Sequence, residues 1–158
     1  MTVPREPAAP RRGTASSRRT TSARRRAREI AFRVAYEADV NGDGYGDVWR
    51  RLRDEEHLSD DQRELVDDVV ASLVREGDDI DRRIQAAAEH WPLVRLSATD
   101  RAVLRMAVAE LTARAGSPVP VVLDEAIELA KRFGSDESGR FVNGVLDRVA
   151  RELRPAES

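Results

Sequence analysis

The chain has 158 residues, no cysteine and a formal charge of −2, with 35% of its residues charged. That length suits one domain with its own core, and the missing thiols exclude disulfides, cysteine nucleophiles and thiolate zinc sites. The near-neutral total conceals a basic end: residues 1–28 hold nine arginines against one acid, Glu6, while the remainder is net acidic, a distribution that points to nucleic acid or an acidic surface as partner.

No apolar run approaches the roughly 20 residues of a membrane span, and no secretory signal is visible. A cytoplasmic protein is expected. Residues 1–21 are mostly Pro, Ala, Ser, Thr and Arg. Such a segment buries too little surface to offset its ordering entropy, so it reads as a disordered basic tail.

From residue 22 to about 155 the pattern is helical. Ile30, Ala31, Val34, Ala35 and Ala38 recur at helical spacing, as do Leu65, Val66, Val69, Val70, Leu73 and Val74. Ile80, Ile84, Ala87 or Ala88 and Trp91 form a third stripe, stopped by Pro92. Ser97 and Asp100 predict a capping box ahead of Val103, Leu104, Ala107, Val108 and Leu111. Gly116, Pro118 and Pro120 separate this helix from one ending at Gly134, and a last helix follows from about Ser138 to Leu153. The fold class is all-α. Pro92 divides it into an N-terminal half, about 22–92, and a C-terminal half, about 93–155, expected to pack on each other.

The helix faces carry further information. On the first helix, Phe32 and Tyr36 fall nearly opposite the apolar stripe, with Arg25 and Glu29. Aromatics there are either covered by another helix or offered to a partner. On the last helix Arg140 points away from the core side and Phe141 sits at its edge, where a ring beside a guanidinium can stack a splayed base or close the core rim. Gly144 within that helix predicts a close backbone approach, and Asn143 beside it reads as a buried hydrogen-bonding residue.

Asp39-Val-Asn-Gly-Asp-Gly-Tyr-Gly-Asp47 matches the start of a calcium-binding helix-loop-helix. Arg50 stands where the closing acid is needed, so a polar interhelical turn is the better reading and no metal or cofactor is assigned. His57 and His90 belong to no metal-spacing motif, and no phosphate-binding glycine loop occurs. The chain reads as a noncatalytic binding protein.

The strings Asp124-Glu-Ala-Ile-Glu-Leu-Ala-Lys-Arg-Phe-Gly134 and Phe141-Val-Asn-Gly-Val-Leu146, with the cluster Arg24-Arg-Arg-Ala-Arg28, resemble the NusB family of bacterial antitermination factors over about residues 24 to 155. The resemblance implies an all-helical fold of two packed three-helix halves plus an extra helix. It also implies binding of boxA-type single-stranded RNA together with the ribosomal protein NusE. The pair would join other antitermination factors on RNA polymerase, notably in ribosomal RNA transcription. By position, Arg24, Arg25, Arg26 and Arg28 resemble the family's basic RNA-binding helix. Arg140 and Phe141 resemble its second RNA contact, with Glu137 at a position that tunes affinity. Tyr36 and Asp100 match positions that face NusE, and Phe32 is grouped with them as partner-binding. A homodimer through the apolar or basic face is an open alternative state.

Overall fold

A computed structural model describes residues 12–157, with side chains from residue 22 onward. It contains α1 (Arg12–Asn41), α2 (Tyr45–Glu55), α3 (Asp60–Ala87), α4 (Ala98–Ala113), α5 (Val119–Phe133) and α6 (Asp136–Leu153). Single 3-10 turns occupy Leu93–Arg95 and Pro155–Glu157, and no strand occurs among the described residues. The all-helical expectation holds. Residues 1–11 of the expected tail lie outside the described residues. Residues 12–21, assigned to the same tail, instead open α1. The stretch from Arg12 to Ala23 has no proline to stop a helix that extends back from the buried face beginning at Ala27.

Helix α4 is the hub. Ala102, Val103, Leu104, Met106, Ala107, Val108, Ala109, Glu110 and Leu111 are all buried, and α4 packs against α1, α3, α5 and α6. A helix apolar around its circumference belongs inside a domain, and its alanines let neighbouring helices approach closely. One cluster of buried apolar side chains draws on all six helices. The expected α1 stripe of Ile30, Ala31, Val34, Ala35 and Ala38 lies within it.

Two arginines join the chain's segments. Arg101 donates to Asp39 Oδ2 at 2.9 and 3.0 Å, and also to the carbonyls of Leu93, Val94 and Leu96. It thereby ties the end of α1 to the turn between the halves. Arg154 donates to the carbonyls of Leu111, Arg114, Ala115 and Ser117. These include orphan acceptors at the end of α4, which lack helical donors.

Helix starts follow side-chain chemistry. Ser59 and Gln62 form a reciprocal capping box on α3. On α4 the box is one-sided: Ser97 Oγ accepts from the Asp100 N–H at 3.1 Å, whereas Asp100 Oδ1 is buried without a hydrogen-bond partner. Aspartate is one methylene shorter than the Glu or Gln that completes such a box.

One glycine differs from expectation. A Cβ at Gly144 would meet nothing within 4 Å, whereas one at Gly139 would come 2.8 Å from Lys131 Cγ. The close approach in α6 is therefore at Gly139, earlier in the helix; Asn143 is exposed. Gly77, inside α3, likewise has open space around a Cβ. Gly77→Ala is expected to raise stability by about 0.5–1 kcal/mol, read as a higher urea midpoint at unchanged slope. A lower midpoint would contradict that open space.

Candidate nucleic-acid interface

The α1 arginines separate into two environments. Arg24 Nε lies 3.7 Å from Asp61, Arg25 reaches Glu125 at 3.2 Å, and Arg26 reaches Glu56 at 2.7 Å. These three side chains remain substantially exposed. The Arg24 and Arg26 pairs are solvent-facing and contribute only about 0–1 kcal/mol each, whereas Glu125 opposite Arg25 is buried. All three guanidiniums still present exposed surface to a phosphate.

Arg28 is different. It is 3% exposed and makes two parallel hydrogen bonds, at 2.8 and 2.7 Å, to Glu110, which is 0% exposed. Ser117 Oγ donates to the same carboxylate at 2.8 Å. Burial opposes the Arg28 charge, but the hydrogen bonds and charge of Glu110 outweigh it and hold the guanidinium's pKa above its usual value. Arg28 is therefore not a surface RNA contact as expected. It lies three and seven residues before Ala31 and Ala35, on the core side of α1, where small neighbours leave room for a guanidinium.

The aromatic face of α1 also divides. Phe32 is 5% exposed because Phe133 of α5 stacks on it, with centroids 5.0 Å apart and planes at 20°. The expectation that Phe32 meets a partner directly is thus corrected. Tyr36 remains exposed, 6.0 Å from the Phe32 ring. Phe133, which helical spacing does not single out, is exposed beside them. Arg132 sits 5.0 Å over its ring and pairs with Glu29. The accessible partner candidates here are Tyr36 and Phe133.

The second cluster forms where the linker between the halves meets α6. Glu137 and Arg140 are exposed and Phe141 is half-buried. A shallow groove of about 320 Å3 contains Trp91, Arg95, Asp100, Glu137 and Phe141. An adjoining one of about 270 Å3 contains Trp91, His90, Arg140, Phe141, Gly144 and Arg148. The structure thus gathers Glu137, Arg140, Phe141 and Asp100 at one end of the molecule.

Trp91 lies between them and is 57% exposed. Its spacing in the sequence predicts a place on a core stripe, but α3 ends at Ala87. Glu89 then adopts a positive φ of 27°, which turns the chain outward. Gln85 Nε2 donates to the Trp91 carbonyl at 3.1 Å, and Gln85 Oε1 accepts from the Leu93 N–H at 2.8 Å. The stretch resembling a calcium loop comprises the end of α1, a turn at residues 42–44 and the start of α2. Its first acid, Asp39, faces Arg101 and Arg105 at 2.9 and 3.5 Å, and Gly42 supplies the left-handed residue at φ 71°.

Residues 25–151 match the NusB family. The chain is 43% identical over 137 residues to the transcription antitermination protein NusB of Anaeromyxobacter dehalogenans, covering 86% of this chain and 96% of that relative. It is 39% identical over 133 residues to the NusB of Dehalococcoides mccartyi, covering 84% and 93%. Its fold is similar to that of T. maritima NusB, with a TM-score of 0.76, 36% identity and coverage of 82% and 91%. It is also similar to a crystal structure of antitermination factors NusB and NusE in complex with dsRNA, with a TM-score of 0.74, 29% identity and coverage of 83% and 98%.

Proposed function

The chain belongs to the NusB family, and from that premise we propose that it binds boxA-type single-stranded RNA jointly with NusE and joins the antitermination complex on RNA polymerase, notably during ribosomal RNA synthesis. It acts in the cytoplasm by binding and not by catalysis. The observation that carries this reading is the set of three accessible guanidiniums, Arg24, Arg25 and Arg26, in one run on α1. They supply the salt-sensitive phosphate attraction. Arg140, Phe141 and Glu137 contact unpaired bases, and Tyr36 and Asp100 face NusE.

The test is fluorescence anisotropy of a boxA-like RNA against a scrambled one, with and without NusE, across a salt series. Preference for boxA that sharpens with NusE is expected. Equal, salt-fragile binding to both RNAs would reject the specific function and leave only a basic surface. The partner face has its own check. Tyr36→Asp is expected to weaken NusE binding by roughly tenfold, the loss of one well-packed interface aromatic, while the circular-dichroism melt stays put. Collapse of the melt would make Tyr36 a core residue.

A further inference from the structure

Resting on the RNA-binding reading, we propose that Trp91, with Phe141, forms a two-sided platform that holds two neighbouring unpaired bases of the RNA, one in each adjoining groove. Three observations carry it. Trp91 and Phe141 line both grooves, so the same pair of rings offers surface to each side. The Trp91 ring is exposed although its backbone is fixed: the Gln85 side-chain amide bridges the Trp91 carbonyl and the Leu93 N–H, and Trp91 N–H donates to Ala88 O at 2.9 Å. Hydrogen bonds on either side fix the backbone from which this large apolar ring projects, so only the side-chain torsions remain to be ordered when a base arrives.

The third observation is charge. Arg95 lines one groove and Arg140 the other, and both are exposed without an ion pair among the described residues. Arg24, Arg25 and Arg26 of α1, by contrast, each face a carboxylate. Free guanidiniums beside exposed rings suit nucleic acid, because rings stack bases while cations meet the connecting phosphates. In the first groove Glu137 adds an acceptor for an exocyclic amino group. Open space over Gly144 keeps the floor of the second groove low. Asp100, on the partner-facing side, borders the first groove, so the platform adjoins the proposed NusE surface.

The full-length protein is tested with boxA-like RNAs carrying single abasic nucleotides at successive positions. Wild-type protein should lose affinity at two adjacent positions. Trp91→Ala should bind intact RNA roughly five- to tenfold more weakly, as expected for a lost base–aromatic stack, with an unchanged salt slope and no further loss at those positions. Trp91→Phe should retain most of the affinity. RNA should also quench the emission of Trp91, a signal absent in Trp91→Phe; Trp49, buried and bonded to Asp67 at 2.6 Å, remains as the internal reference. If Trp91→Ala leaves RNA affinity unchanged while substitution of the α1 arginines lowers it, the platform is overturned and the RNA-binding reading stands. If Trp91→Ala weakens only NusE binding, the platform is overturned and the ridge serves a protein. If the wild type binds no RNA with or without NusE, both ideas fall.

Discussion

Arg28→Ala is expected to lower the unfolding free energy by about 3–5 kcal/mol, because it leaves Glu110 charged and unpaired inside the protein. The geometry makes the loss large. Glu110 has no exposure to water, and Arg28 supplies two of its three side-chain hydrogen bonds. Urea denaturation followed by circular dichroism measures it directly. A double variant, Arg28→Met with Glu110→Leu, should recover most of the loss, since an apolar pair of similar volume has no buried charge to solvate. If the single variant melts like the wild type and only RNA binding suffers, the guanidinium is reaching solvent and the buried pair is wrong. Any RNA-binding defect of Arg28→Ala is to be judged only after its folded fraction is known.

Removing the surface guanidiniums should have the opposite profile. A triple variant, Arg24→Ala, Arg25→Gln and Arg26→Ala, is expected to bind boxA-like RNA roughly 30- to 100-fold more weakly at low salt. Its plot of log affinity against log salt should flatten by about 2, at about 0.7 for each single-strand phosphate that is no longer neutralised. Glutamine is chosen at 25 because Glu125 opposite is nearly buried and keeps a donor that way. The fold should lose little, because the exposed Arg24 and Arg26 pairs contribute about 0–1 kcal/mol each and Gln at 25 still donates to Glu125. Anisotropy titrations between low and physiological salt decide the matter. An unchanged slope would show that these arginines serve only their internal carboxylates.

The periodicity of the sequence is sufficient for α1, α4, α5 and α6 and for most of the buried faces. No stripe announces α2, the stripes that start at Leu65 and Ile80 belong to the single helix α3, and Val74 on it is exposed. Ile30, Ala31, Val34, Ala35 and Ala38 on α1 are core as their spacing predicts, and Gly134 falls where a helix stops, whereas α3 stops at Ala87, short of Pro92. Less legible is whatever a second element decides. Phe32 looks free on α1 alone and is covered only once α5 brings Phe133 onto it. The charge of Arg28 suggests the surface, although its register with Ala31 and Ala35 places it on the core stripe. Glu110, set between Ala109 and Leu111 in an apolar helix, is the matching clue. Extending the α3 period to Pro92 puts Trp91 in the core, but the helix ends four residues before Trp91 and the chain turns out at Glu89. Helix propensity at Gly144 cannot tell a close approach from an open groove.

Helix α4 has a further consequence. Its side chains are shared between the helices before Pro92 and those after it, and Arg101 adds bonds from α4 to both sides of that residue. Neither triplet is a module that recombination could lift out and graft elsewhere, because each would expose the apolar surface it buries against the other. A chain cut at Pro92 should yield two fragments that fold only on mixing. The seam visible in the sequence is one of connectivity, and the unit that selection acts on is the whole bundle.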